Sequence, residues 1–174
     1  MNETIEPQMY EPIGRPSITV SNSSVTASFT INKKNNIYRN QIMSFEYVVS
    51  LTANSGARGN FSLTLDIEEI LTLATSINLL RAHAQAKVGK SKYITIASRN
   101  KRNFTLQFND MSTEERGTVA KAYFNLSQEQ KFYLPLGGNA VSVIYAKCIE
   151  TLSLNHNCSP SDLFVFYPSL KPNI

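Results

Sequence analysis

The sequence has few of the features that mark secreted or membrane-spanning proteins. Only two cysteines occur, Cys148 and Cys158, which is too few for a disulfide framework, so we expect a reducing, intracellular compartment. No apolar run is long enough for a transmembrane helix, which needs about 18 residues or more. The N-terminus carries Glu3, Glu6 and Glu11 without an apolar stretch. This pattern predicts neither a secretory signal nor an Arg-rich transit peptide.

Residues that could perform catalysis are also sparse. The two histidines, His83 and His156, stand in different contexts, and no spacing of His, Cys and carboxylates fits a metal site. No Walker-type or Gly-x-Gly-x-x-Gly loop occurs, and Gly137-Gly138 is interpreted as a turn that opens a helix. The sequence therefore predicts a protein that is not an enzyme and that binds no cofactor and no metal.

The most informative feature present is a pattern that occurs twice. Residues 61–65 alternate apolar and polar side chains, which predicts a strand with one buried face. The apolar positions that follow, as far as Leu80, change to the 3.6-residue period of a helix. Residues 132–152 repeat both parts in the same order, and their apolar positions align without a gap. Such an internal repeat indicates two similar halves.

Each half is predicted to contain four strands followed by one helix. The strands expected in the first half are 18–20, 25–32, 41–53 and 60–65, before a helix at 67–86. Those expected in the second half are 92–98, 103–108, 118–126 and 131–136, before a helix at 140–154. The polar run 33–36 is interpreted as a loop. One face of strand 41–53 would carry Met43, Phe45, Tyr47, Val49 and Leu51.

The rest of the chain is predicted to flank these two halves. Residues 1–16, with three prolines and three acids, are interpreted as a flexible leader. Residues 17–155 would form a single domain of two repeats, 17–88 and 89–155. Residues 156–174 would form a C-terminal tail, and we expect its apolar run at 163–167 to dock somewhere on the domain.

The positive charge is concentrated in one segment. The formal net charge is +4, and seven basic residues with no acidic residue lie between Arg81 and Arg102. A local basic field of this kind suits a polyanionic partner, although a solvated face explains it equally well. The helices are apolar on more than one side, which favours a subunit interface in addition to packing on the sheets.

The doubled order of four strands and a helix resembles the Whirly family of single-stranded DNA-binding proteins and its kinetoplastid mitochondrial RNA-binding relatives. The resemblance covers residues 17–155 and rests on the junctions at 61–80 and 132–152. The family's Lys-Gly-Lys-Ala-Ala-Leu signature is absent, and Lys90-Ser91-Lys92-Tyr93 is only loosely similar to it.

The resemblance implies an α+β fold of duplicated β-β-β-β-α units, with two antiparallel four-stranded sheets and two helices. It also implies a homo-oligomer, a tetramer or dimer formed through the helices, and single-stranded DNA held along the sheet edges. No membrane partner is expected. A phage or bacterial replication protein, located in the cytoplasm or in the host cytoplasm if viral, would have this organisation.

A protein that binds single strands needs cations for phosphates and aromatic side chains on which unstacked bases can lie. Outward positions of the second half combine both types, beside a basic turn at 99–102. We therefore predict a nucleic-acid site that comprises Lys90, Lys92, Tyr93, Arg99, Lys101, Arg102, Lys121, Tyr123, Lys131 and Tyr133. A second predicted cluster comprises Lys33, Lys34, Tyr38 and Arg39. Alternatively, the tyrosines are ordinary strand residues and the second cluster is a solvated hairpin tip.

These patterns support two classes of function. The leading hypothesis is a non-catalytic, largely sequence-independent single-stranded DNA-binding protein in replication, recombination or repair, with RNA binding as a variant. The alternative is a structural or assembly protein of the virion type, whose Ser/Thr-rich strand faces contact other chains.

Overall fold

The structure is a computed structural model that describes residues 6–85, 92–99, 102–108, 118–126 and 130–172. Its strands are β1 Tyr10–Pro12, β2 Ile18–Ser21, β3 Val25–Tyr38, β4 Gln41–Ser55, β5 Gly59–Leu65, β6 Lys92–Arg99, β7 Arg102–Phe108, β8 Thr118–Asn125 and β9 Lys131–Gly137. Its α-helices are α1 Ile67–Gln85, α2 Gly138–His156 and α3 Pro160–Phe166. A short 3₁₀ turn, Pro168–Leu170, follows α3.

The strands form two antiparallel sheets, one from each half of the chain. The first sheet has five strands in the order β1-β3-β4-β5, and β2 pairs with β3 beside β1. The second sheet has four strands in the order β6-β7-β8-β9. The predicted α+β duplication of four strands and a helix is therefore confirmed in β2–β5 with α1 and in β6–β9 with α2.

One hydrophobic core joins the inner faces of both sheets to the helices. The rings of Phe29 and Phe104 lie 6.4 Å apart across the sheets, and those of Phe61 and Phe124 lie 5.4 Å apart. Burial of one such side chain contributes about 1.5–3 kcal/mol. Since successive strand residues point to opposite faces, this burial fixes which side chains face outward.

The prediction of a flexible leader is wrong for part of residues 1–16. Tyr10–Pro12 forms β1, in which Tyr10 pairs with Lys34 and Pro12 with Asn32. This strand provides the fifth strand of the first sheet, which the sequence pattern did not predict. The proposed repeat boundary at 88/89 lies outside the described residues.

The prediction of a loop at residues 33–36 is also wrong, because β3 continues through them to Tyr38. Asn35 is buried, and its amide nitrogen donates to the Gln8 carbonyl oxygen at 2.8 Å. The chain instead reverses at Arg39 and Asn40, whose φ angles of 52° and 61° are those of a two-residue type I′ turn.

The distal part of this hairpin, residues 35–45, extends beyond the core, and we call it the arm. Strand β4 pairs with β5 only from Val49 onward. The residues of β4 before Val49 therefore have no neighbouring strand on that side. Met43 and Phe45 are consequently 61% and 52% exposed. Phe45 shares the face of Val49, as predicted, whereas Met43 lies at the bulge of this ladder and has no register partner. Neither side chain reaches the core.

The helices begin at recognisable signals. Before α1, the Asp66 carboxylate accepts the Glu69 backbone N–H at 2.9 Å, and the Glu69 carboxylate accepts the Asp66 backbone N–H at 3.3 Å. This reciprocal arrangement is a capping box. Helix α2 begins at Gly138, two residues before its predicted start at Ala140. No helix of the described chain is long and apolar enough to cross a membrane.

The C-terminal tail docks on the domain, but only part of its apolar run is covered, since Val165 and Phe166 are 75% and 72% exposed. Leu163 of α3 and Leu170 of the final turn are fully buried. The Asn78 amide nitrogen on α1 donates to the carbonyl oxygens of residues 169, 170 and 171 at 3.1, 2.9 and 3.3 Å. The Tyr145 hydroxyl of α2 donates to the Leu170 carbonyl oxygen. The tail is therefore held by both long helices.

Candidate nucleic-acid interface

The outer face of the second sheet carries side chains in rows that run across β7, β8 and β9. Inward residues such as Phe104, Ala122 and Leu134 are buried, so the alternate residues face outward. The rows, in order along the strands, are Gln107-Lys121-Pro135, Thr105-Tyr123-Tyr133 and Asn103-Asn125-Lys131. Neighbouring rows are about 6.8 Å apart, because a strand rises about 3.4 Å per residue. We call this nine-residue face the platform.

Two tyrosines form the centre of the platform. Tyr123 and Tyr133 are register partners, and their ring centroids lie 5.7 Å apart with the ring planes inclined at 37°. Tyr133 is 47% exposed, whereas Tyr123 is half-buried. Aromatic rings held in this way on a sheet offer flat surfaces on which unpaired bases can stack.

A lysine lies on each side of the tyrosine pair. The Lys121 ammonium nitrogen is 5.6 Å from the centroid of the Tyr133 ring, a cation–π distance. Lys131 is exposed and pairs with Asn125. The platform thus combines two cations with two aromatic rings, and none of its nine residues is acidic. A phosphate backbone that crosses this face meets no negative side chain.

Strand β6 extends the rows, although its side chains are outside the described part of the chain. Tyr93 pairs with Gln107, which places it in register with the Lys121 row. Lys92 pairs with buried Phe108, so it occupies a register position of the opposite face. The alternation therefore does not group Lys92 with Tyr93 on the platform.

The predicted basic turn is described only at its ends. Arg99 and Arg102 pair with each other where β6 meets β7, and Arg102 is exposed. Lys90 and Lys101 lie outside the described residues, as does the side chain of Arg99. Arg102 precedes Asn103 on β7, so by alternation it shares the register face of buried Phe104 and does not belong to the platform.

The second predicted cluster lies on the first sheet and does not join the platform. Lys33 is 4.2 Å from the Phe45 ring centroid and forms an ion pair of 3.8 Å with Glu11. Tyr38 is 59% exposed, with the Arg39 guanidinium 5.2 Å from its ring centroid.

Lys34 of this cluster pairs in register with Glu46. Since Lys33 forms an ion pair and Lys34 has an acidic register neighbour, the cluster offers a weaker positive field than its sequence suggests. Two of its four residues, Tyr38 and Arg39, remain exposed at the tip of the arm.

In the part of the chain that the structure describes, two titratable groups of the core have shifted pKa values. Burial raises the pKa of the Cys148 thiol to about 12. Burial also raises the pKa of the Tyr145 hydroxyl. Both groups belong to α2 and support packing rather than the platform. Among the described residues, no three His, Cys, Asp or Glu side chains gather as a metal site.

The sequence prediction missed the amide and hydroxyl side chains of the platform. Asn103, Thr105, Gln107 and Asn125 face outward by the same alternation that identifies the tyrosines. Asn103 and Asn125 pair in register, and the Asn125 amide nitrogen donates to the Asn103 amide oxygen. Alternation combined with a hairpin register would have found this pair.

The architecture is similar to that of WHY3 from Arabidopsis thaliana, known from a crystal structure. The TM-score is 0.51 at 12% sequence identity, and the match covers 92% of this chain and 100% of that chain. This likeness shows the fold, which is Whirly-like. No protein-family model and no curated protein sequence matches the chain. The neighbour gives no support to the phage or bacterial origin, which stays a prediction.

Proposed function

We propose that the chain is a non-catalytic single-stranded DNA-binding protein, largely independent of sequence, that serves replication, recombination or repair. The observation that carries this proposal is the outward-facing Tyr123–Tyr133 pair flanked by Lys121 and Lys131. Stacking uses a face that every base has, and phosphate contacts carry no sequence information. Such a platform binds unpaired strands without a preferred sequence. The Whirly-like fold and the family resemblance support the same function.

The proposed partners and assembly follow from this function. Single-stranded DNA would lie over the platform, with Lys121 and Lys131 as the phosphate contacts. We propose a homo-oligomer formed through the helices, because Leu79 of α1 and Val143 of α2 are exposed apolar residues. We further propose an intracellular location, where unpaired DNA is exposed.

The direct test is the affinity of the protein for a fluorescent oligothymidylate, measured by fluorescence anisotropy. We expect Tyr123→Ala with Tyr133→Ala to lose most of the affinity while the circular dichroism spectrum is retained. Each stacked base contributes about 1–3 kcal/mol by alanine substitution. Wild-type affinity in a folded double variant would move the site away from the platform.

Two further experiments separate the alternatives. Competition between DNA and RNA oligonucleotides of matched sequence measures whether the protein prefers deoxyribose or ribose strands. The assembly alternative is favoured by the outer face of the first sheet, where the Ser17 and Thr30 hydroxyls lie 2.7 Å apart and those of Thr19 and Ser28 lie 3.2 Å apart. Light scattering without nucleic acid tests it, since an assembly protein would form large homogeneous particles and a DNA-binding protein would form a small closed oligomer.

A further inference from the structure

The platform contains a pair of side-chain amides whose hydrogen-bonding capacity is only partly used. Asn103 and Asn125 are register partners on β7 and β8, and both are half-buried on the outer face. The Asn125 amide nitrogen donates to the Asn103 amide oxygen. This bond fixes the two amides relative to each other across the strands.

The bond between the two residues leaves the amide nitrogen of Asn103 and the amide oxygen of Asn125 entirely unused. A carboxamide has two N–H donors and an oxygen that accepts two hydrogen bonds. Within the described part of the chain, the Asn103 amide nitrogen and the Asn125 amide oxygen make no hydrogen bond, because the bond between the two residues uses the other atom of each amide. Because both residues are partly exposed, these atoms are open to a ligand.

The position of the pair relative to the tyrosines matches the size of a base. Asn125 follows Tyr123 by two residues on β8, so the amide row lies about 6.8 Å from the tyrosine row. A stacked base extends roughly 3–4 Å from its centre to its edge, and a hydrogen bond adds about 2.9 Å. A base centred over the tyrosines therefore presents one edge to the amides.

The Watson–Crick edge suits such a pair in all four bases. Adenine and cytosine each offer an exocyclic amine beside a ring nitrogen acceptor, and guanine and thymine each offer a ring N–H beside a carbonyl oxygen. A neighbouring donor and acceptor on the protein can serve each of these edges. In a duplex the same edges are occupied by the partner base.

We propose that the Asn103–Asn125 pair binds the Watson–Crick edge of the base that stacks on the Tyr123–Tyr133 pair. This inference rests on the proposed function and names a further property of the same site. The amides add affinity for unpaired bases of any sequence and exclude bases that are already paired. Selectivity for single strands then comes from hydrogen bonding as well as from stacking.

The test compares an oligothymidylate with the same oligonucleotide built from N3-methylthymidine. The methyl group removes the N3–H donor but keeps the flat face and the phosphates. We expect the wild-type protein to bind the methylated strand about 2- to 10-fold more weakly, the effect of one hydrogen bond of about 0.5–1.5 kcal/mol. The variant Asn103→Leu with Asn125→Leu should bind both strands equally, with an unchanged circular dichroism spectrum.

The first sheet provides a matched control. Asn54 and Asn60 are also register partners, on β4 and β5, and both are exposed. The variant Asn54→Leu with Asn60→Leu should keep the wild-type discrimination. Equal binding of the two strands by the wild-type protein would overturn the amide inference and leave the proposed function standing. If the wild-type protein binds neither strand, both the amide inference and the proposed function are overturned.

Discussion

Replacement of Tyr133 by alanine separates the contribution of base stacking from every other contribution to binding. The side chain is 47% exposed, at an outward position of β9. Its ring contacts Tyr123 at 5.7 Å between centroids and lies 5.6 Å from the Lys121 ammonium nitrogen. The substitution therefore removes one flat surface and the ring contact of Lys121, while both cations are kept.

The expected loss of affinity is larger than the expected loss of stability. One stacked base contributes about 1–3 kcal/mol, which corresponds to a dissociation constant roughly 5- to 150-fold higher. Loss of the contact between the Tyr133 and Tyr123 rings should lower the free energy of unfolding by about 0.5–1.5 kcal/mol. The free energy of unfolding of a folded domain is about 5–15 kcal/mol, so the variant should remain folded.

The assay is fluorescence anisotropy with a labelled oligothymidylate, supported by urea denaturation of the same samples. Tyr133→Phe keeps the flat ring and should bind within about twofold of the wild-type protein. Tyr10→Ala is a matched control, since Tyr10 is an exposed tyrosine of β1 on the other sheet. Unchanged affinity of Tyr133→Ala for the oligonucleotide would refute the stacking role of Tyr133. So would an equal loss of affinity in Tyr10→Ala.

Three further predictions concern salt, the tail and pH. The double variant Lys121→Gln with Lys131→Gln should reduce the slope of log affinity against log salt concentration by about 1.4, because each lost phosphate contact accounts for about 0.7. An unchanged slope in anisotropy titrations would show that these lysines do not contact phosphates. Asn78→Leu leaves the carbonyl oxygens of residues 169 and 171 without this donor, while the Tyr145 hydroxyl still bonds the Leu170 carbonyl oxygen. The variant should lower the free energy of unfolding in urea by about 1–3 kcal/mol, and no change would mean that packing and the Tyr145 bond hold the tail. Because the pKa of Cys148 is raised from its ordinary value of 9.0 to about 12, the unfolded chain releases a proton that the folded chain keeps as pH rises through this window. Stability should therefore fall there, and Cys148→Ala should weaken the fall in denaturation series; an identical pH dependence in both proteins would contradict the assignment.

The alternation of apolar residues was sufficient to predict the two sheets and the outward placement of Tyr123 and Tyr133. Period two is a local property, and the burial of residues such as Phe124 and Phe132 on the other face enforces it. The binding role of the outward residues stays a prediction. Exposure follows from the fold, whereas binding requires a partner.

Features that depend on distant parts of the chain could not be predicted in the same way. The run 33–36 is polar like a loop, yet Asn35 is buried, and its backbone and amide N–H groups donate to the carbonyl oxygens of residues 9 and 8. The apolar side chain of Phe45 suggests burial, yet it lies in the arm, beyond the part of β4 that pairs with β5. Similarly, the partners of Asn78 lie 91–93 residues away in the sequence.

The most direct test of the platform is photocrosslinking of an oligonucleotide that contains 5-iododeoxyuridine, followed by mass spectrometry of the crosslinked peptides. This base reacts with aromatic side chains that lie against it. We expect crosslinks at Tyr123 and Tyr133 that disappear when unlabelled oligothymidylate is added in excess. Crosslinks confined to Tyr38 and Phe45 of the arm would contradict the account and assign binding to the first sheet.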